Sequence, residues 1–131
     1  PGDFPWSANC TDEARMETFR GYLRYPVDLH YTVNGKAVSH FALYDTSQYD
    51  KSWTVKVYVI AWDELGELAY YSLLVDDLVH VQGYYKTNTW VDHTGQERSQ
   101  QELVAKDINL ILPDGTYKTL KQIQEELNAN I

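Results

Sequence analysis

The chain has 131 residues, a hydrophobic share of 44%, and 11 lysines and arginines against 19 aspartates and glutamates, for a net charge of −8. That length suits one domain with a single core; no apolar run approaches the about 20 residues of a membrane helix, and a lone cysteine, Cys10, excludes an internal disulfide or a thiolate zinc cluster. The acidity (pI ≈ 4.8) taken alone argues against a polyanionic ligand, since phosphate contacts rest on lysine and arginine.

Residues 1–15 (PGDFPWSANCTDEAR) read as an irregular arm, with Phe4 and Trp6 tacking it onto the domain. The chain opens at Pro1 without a methionine, so an upstream segment is expected to have been removed or to lie outside the sequence; the single cysteine points to a reduced compartment. Residues 16–24 (METFRGYLR) form a first strand, with Phe19, Gly21 and Leu23 on one face and Thr18, Arg20, Tyr22 and Arg24 on the other. Gly21 suggests a bulge or sharp coil, and Pro26 ends the pairing. Asn34-Gly35 is a strong hairpin signal, after which residues 37–44 alternate as a second strand and residues 46–51 form a short polar loop.

The third strand, SWTVKVYVIAW, puts Val55, Val57, Val59 and Ala61 on one side and Thr54, Lys56, Tyr58, Ile60 and Trp62 on the other. Asp63 is expected to cap a short helix whose Leu65, Leu68 and Ala69 share a face. Asp76-Asp77 turns the chain into a fourth strand, where Val79, Val81 and Gly83 oppose His80, Gln82, Tyr84, Lys86, Asn88 and Trp90. Residues 92–95 (DHTG) make a second hairpin turn into a fifth strand over 99–111, stopped by Pro113-Asp114-Gly115. A terminal helix over 119–128 begins at a capping box, Thr119 with Gln122, and carries Leu120, Ile123 and Leu127 as one apolar stripe. Five strands with a helix between the third and fourth is the order of an all-β, minor-α chain folded as a five-stranded OB-fold barrel. The expected organisation is an N-terminal arm (1–15), the barrel domain (16–112), and a C-terminal turn and helix (113–131).

The outward positions of strands one, three and four hold Arg20, Arg24, Lys56 and Lys86, the rings of Tyr22, Tyr58, Tyr84, Trp62 and Trp90, and no aspartate or glutamate. A local patch of this kind opposes the global sign of charge, so net acidity does not forbid a nucleic-acid ligand. Exposed rings can equally bury against another subunit, and Tyr58 and Tyr84 can simply brace the sheet.

The segments NGKAVSHFAL, WDELGELA and DLVHVQGYYKTNTWVDHTGQER, with the closing strand, resemble bacterial-type single-stranded DNA-binding proteins in order and spacing over roughly residues 16–112. FPWSANC and WDELGELA look more like the plant organellar branch, which works in mitochondria and plastids. The resemblance implies non-catalytic, largely sequence-independent binding of single-stranded DNA, with bases stacked on aromatic rings, in replication, repair or recombination. It also implies a homo-oligomer, a dimer or tetramer. Carried over by position, Trp90 and Trp62 match stacking residues, and Tyr49 falls near another. A further position, tryptophan in the family, is Lys56 here; Trp53 lies three residues earlier on the opposite parity, so the role is not transferred to it. The nucleic-acid contacts expected are Trp90, Trp62, Tyr49, Lys56, Lys86, Tyr84, Tyr58, Arg20, Arg24 and Arg98. The loop between Asp45 and Ser52 is shorter than the basic hairpin of many bacterial members, no acidic partner-binding tail follows the barrel, and only a short helix stands where the plant branch usually adds strand-binding motifs.

Stacking tolerates any base, and telling RNA from DNA would need a contact to the 2′-hydroxyl, so RNA stays open beside DNA as the partner. With so few basic residues the salt dependence should be shallow. No enzyme, cofactor or metal is expected. His30, His40, His80 and His93 are scattered without metal-ligand spacing, and Asp63, Glu64 and Glu67 sit on a solvated helix. The alternative is an OB-fold subunit used for protein contacts inside a larger organellar assembly, motivated by the −8 charge and the short loop. No membrane association is expected, and the location expected from the resemblance is a mitochondrion or plastid, or otherwise an intracellular nucleoid.

Overall fold

Alternation of apolar and polar side chains gives each strand one dry and one wet face, and a closed barrel uses both. The computed structural model describes residues 16–47 and 49–129; the proposed arm, with Phe4, Trp6, Cys10 and the FPWSANC segment, lies outside them. In chain order the elements are β1 Glu17–Leu23, β2 Asp28–Tyr31, β3 Ala37–Thr46, β4 Trp53–Trp62, α1 Asp63–Ser72, β5 Leu78–Val91, β6 Glu97–Ile111, β7 Tyr117–Thr119 and α2 Leu120–Ala129.

The strands β1, β5, β6, β4 and β3 lie side by side in that order, and β1 returns to β3 through Tyr22↔Tyr44 and Leu23↔Leu43. That pairing closes a five-stranded sheet with the OB-fold order, and α1 falls between its third and fourth strands as the sequence led us to expect. The only parallel pairing among the described residues is β4 with β6, at Val59↔Leu103 and Ile60↔Val104. Gly21 sits where β1 passes from β5 to β3, and a Cβ there would lie 3.0 Å from both Leu43 Cβ and the Tyr44 carbonyl oxygen. Close approach, without a slip in the β1 ladder, is thus what the glycine serves.

Two strands were not expected. β2 pairs with the open side of β3, and β7 pairs with the end of β6. Their 4 and 3 residues are too short for a period-2 pattern to register. Asp63 does not cap α1. It has a left-handed φ of 59°, the residue before it is Trp62, and no side chain caps that helix end. Its role is to turn the chain out of β4, a conformation aspartate tolerates better than most, while Asp63 and Glu64 still favour the positive end of the helix. In α2 the capping box forms: Thr119 N–H donates to Gln122 Oε1 at 2.8 Å, and Gln122 N–H donates to Thr119 Oγ1 at 3.1 Å. Leu120 of its stripe is buried and Ile123 packs on the core, but Leu127 is exposed.

The core fills the barrel with Leu23, Leu43, Val59, Val79, Val81, Leu103 and Ile108, each contributing about 1.5–3 kcal/mol on burial. Helix α1 closes one end with Ala69, Leu65, Leu68 and the following Leu73, and Gly66 lets it dock: a Cβ there would lie 2.5 Å from the Ala61 carbonyl oxygen. The carbonyl of Gly66 accepts a hydrogen bond from the buried Ser39 hydroxyl.

Two bulges set which side chains face out. Ala105 pairs with Gly83 and Asp107 with Gln82, which leaves Lys106 as an extra residue on β6. On β4, Leu43 pairs with Val57 and Tyr44 with Val55, so Lys56 is the extra residue. A bulge puts two residues opposite one and resets alternation beyond it. Val55 and Trp53, expected on the inner side, therefore pair with Tyr44 and Thr46, and the parity assigned to Trp53 from alternation is corrected: it belongs to the outer face.

Candidate nucleic-acid interface

The outer row of β4 is an aromatic strip about 30 Å long at ~3.3 Å per residue, with a cluster at each end. At the near end, Trp53 packs edge-on against Tyr22 (centroids 6.1 Å apart) and Tyr44 (6.4 Å), and Tyr25 meets Tyr44 at 5.9 Å. The guanidinium of Arg24 lies over Tyr25, Tyr44 and Trp53 at 5.3, 5.9 and 5.6 Å. Attraction between a cation and the negative ring face holds such a group in place, so Arg24 binds the cluster together. Lys56 follows on the bulge, exposed, its ammonium donating to the Arg20 carbonyl at 3.0 Å. Tyr58 stands midway, 43% exposed.

At the far end the strip stops being wet. Ile60 is buried on the outside of the barrel with Val38 and Val104, and Trp62 and Tyr84 pack against them. This second, small cluster spans four strands: Val38↔Trp62 joins β3 to β4, Ile60↔Val104 joins β4 to β6, and Tyr84↔Val104 joins β6 to β5. Lys36 lies 5.3 Å above the Trp62 ring, and Lys106 lies 5.3 Å above Tyr84.

From Tyr84 the outward row continues along β5 through Lys86 and Asn88 to Trp90, with regular pairing to β6 throughout. Among the described residues, 86–91 and 97–102 pair only with one another, so Trp90 rides on a two-stranded ribbon that extends past the barrel. It is 42% exposed and shares its parity with Tyr84, which adjoins Trp62.

Three expected contacts stand apart from the strip. Tyr49 is fully exposed in the loop between β3 and β4 and has no ring within packing distance among the described residues. Arg20 lines a separate hollow with Tyr22, Asp76 and Asp77. Arg98 is engaged at the ribbon tip: its Nε donates to Asp92 Oδ2 at 2.9 Å. Asp92 also accepts from the backbone N–H and hydroxyl of Thr94 and from the Gln96 N–H. The hydrogen bonds from Thr94 and Arg98 hold its carboxyl down to about 2. The outer face is also less free of acid than strands one, three and four alone imply, because β6 brings Glu102 opposite Lys86 and Asp107 opposite Gln82.

Sequence reasoning missed Trp53, Tyr44, Lys36 and Lys106. Lys36 follows the Asn34-Gly35 turn and Lys106 sits in the fifth strand, neither of which was included in the outward row; Trp53 was hidden by the bulge. Among the described residues no group of three or more histidines, cysteines, aspartates or glutamates is placed to hold a metal ion, and no helix is long and apolar enough to cross a membrane.

Compared with known proteins, residues 19–111 match the Single-strand binding protein family, a span from β1 to the last residue of β6. No curated protein matches the chain.

Proposed function

This chain belongs to the single-strand binding protein family, and from that premise we propose that it holds unpaired DNA, without catalysis and largely without regard to sequence, by stacking bases along β4 and the β5 ribbon. The observation that supports this reading is the outer row from Trp53 through Tyr58 to Trp62, flanked by Arg24, Lys56 and Lys36, in a chain whose net charge is −8. Each stacked base contributes about 1–3 kcal/mol irrespective of its identity. Trp90 offers a further ring beyond the barrel.

The biological setting we propose is DNA replication, repair or recombination in a mitochondrion or plastid; the likeness of WDELGELA to the plant organellar branch supports it. A homo-oligomer is part of the proposal, supported by the edge of β2 that has no partner strand among the described residues and by the exposed Leu127 on α2, since unpaired strand edges invite a partner.

Titration with oligo-dT followed by tryptophan emission tests the reading. Emission should fall to a saturating plateau at low salt, and an intact protein that shows no binding there would sink it.

A further inference from the structure

Helix α1 carries large side chains on two sides, and the fold uses one of them. Its inner side puts Leu65, Leu68 and Ala69 against the core. Its outer side carries Glu67, Tyr70 and Tyr71, at the i, i+3, i+4 spacing that shares one helix face, and Leu74 and Val75 follow in the loop beyond. Tyr70, Tyr71, Leu74 and Val75 are all exposed, Leu74 by 70%. The two tyrosine rings meet edge-on at 5.0 Å. Tyr31 of β2 is exposed beside them, and its hydroxyl donates to Glu67 Oε2 at 2.7 Å. That hydrogen bond raises the Tyr31 pKa, and Tyr71 is near enough to add to the shift, so these rings and the carboxylate form one patch. Exposed apolar side chains gathered in this way mark a contact surface. We propose that this face of α1 docks a cationic segment of another protein, one that lays an arginine across Tyr70 and Tyr71 and pairs it with Glu67.

Charge decides the occupant. Helix α1 holds Asp63, Glu64 and Glu67 and no base. Lys36 and Lys121 reach the first two, at 3.8 and 3.5 Å, whereas Glu67 pairs with no cation among the described residues. Asp76 and Asp77 follow Val75; Arg20 shares a hollow with them and is ion-paired with neither. Such a face repels a nucleic acid or an anionic lipid surface. A guanidinium suits it, because the planar cation stacks on an aromatic ring and still donates to a carboxylate. Leu74 and Val75 offer apolar contact to an aliphatic neighbour of that arginine.

Backbone geometry holds the patch in place. Leu73 is buried while Leu74 turns out, and Asp77 Oδ2 accepts from the Leu74 N–H at 2.8 Å. The loop is tied to the end of β1 by the Asp76 N–H on the Leu23 carbonyl at 2.7 Å and the Leu23 N–H on the Asp77 carbonyl at 3.0 Å. A contact surface ordered in advance loses less entropy on binding. None of these residues belongs to the strip on the barrel wall, so a partner here need not displace the strand.

The test is anisotropy at low salt with a short labelled peptide of arginine and leucine, and a counterpart with lysine for arginine. The arginine peptide should bind the wild-type chain, and the lysine peptide should bind more weakly. Tyr70→Ser/Tyr71→Ser should weaken the arginine peptide by about 5- to 30-fold, at about 2- to 5-fold per ring. Glu67→Gln should weaken it too, whereas Glu97→Gln, the same charge change out on the ribbon, should not. Both α1 variants should keep the wild-type circular dichroism and the wild-type affinity for oligo-dT. Absence of peptide binding overturns the docking site, as does equal affinity for the two peptides. So do equal losses from Glu67→Gln and Glu97→Gln, which mean attraction by net charge alone. A fall in the mass of the unliganded assembly on Tyr70→Ser/Tyr71→Ser also overturns it, because a second copy of the chain then covers the face.

Discussion

Trp53 meets Tyr22 edge to face, with ring centroids 6.1 Å apart and planes at 87°, although simple alternation along β4 puts the two residues on opposite sides of the barrel wall. The extra residue Lys56 brings them together. Because Trp53 and Arg24 anchor the near end of the strip, Trp53→Ala should weaken oligo-dT binding by about 1–3 kcal/mol, roughly 5- to 150-fold in Kd, as measured by anisotropy with labelled oligonucleotide. Restoring a ring with Trp53→Phe should recover most of that affinity. Equal affinities for the wild-type and Ala proteins would remove Trp53 from the interface.

Trp90 separates binding from folding. It lies on the ribbon, beyond the strands that close the barrel, and is 42% exposed. Trp90→Ala should therefore leave the thermal midpoint within experimental scatter while lowering affinity by about 1–3 kcal/mol. A drop in Tm with unchanged affinity would show that the indole is a packing residue.

The ribbon tip has its own pH dependence. Asp92 titrates at about 2 rather than 3.8 because Thr94 and Arg98 donate to its carboxylate. A folded-state value below the unfolded one means that this stabilisation is complete above the ordinary carboxylate range and is lost as pH falls through about 2. Amide exchange at Gly95 and Gln96 should accelerate over that window before the barrel amides respond, and Asp92→Asn should flatten the dependence. The same substitution frees Arg98 while an amide oxygen still accepts from Thr94, so the salt slope for oligo-dT should steepen by about 0.7.

Gly83 lets β5 and β6 approach closely: a Cβ there would lie 2.1 Å from the Val104 carbonyl oxygen and 3.0 Å from Ala105 Cα. Both are backbone atoms that cannot swing aside. Gly83→Ala should cost at least the about 1–3 kcal/mol typical of overpacking, seen as a lowered midpoint in urea unfolding. An unchanged midpoint would mean the β6 bulge at Lys106 relaxes freely.

At α2, Thr119→Ala removes the acceptor for the Gln122 N–H. It should cost about 1 kcal/mol, and helical content should fall while the barrel persists. The hydrogen bonds from Gln124 to the Tyr71 carbonyl and the Ser72 hydroxyl tie this helix to α1, so faster exchange should extend to the C-terminal turn of α1.

Alternation and turn chemistry carried most of the fold. Val57, Val59 and Ala61 are interior, Asn34-Gly35 and Asp92 to Gly95 are turns, and Thr119 with Gln122 starts a helix. What alternation cannot carry is a register slip. Nothing local marks Lys56 or Lys106 as an extra residue; only their pairing partners on β3 and β5 do. The candidate site suffered most, because it is assembled across strands. Lys36 reaches Trp62 through the β3–β4 pairing and Lys106 reaches Tyr84 through the β5–β6 pairing, and only the β4–β6 parallel pairing sets the two contacts side by side. Short pieces such as β2 and β7 escaped notice for a different reason: their regularity is borrowed from the neighbour they pair with.

The unsupported ribbon also bears on what kind of polymer can follow this surface. Two-stranded ribbons twist more strongly than sheets, so the row from Tyr84 to Trp90 is expected to turn away from the line of β4. A polymer that touches both Trp53 and Trp90 then has to follow that turn. Duplex DNA, stiff over about 150 base pairs, resists such a turn far more than a lone strand does, so a preference for unpaired DNA would draw on curvature as well as on the exposed rings.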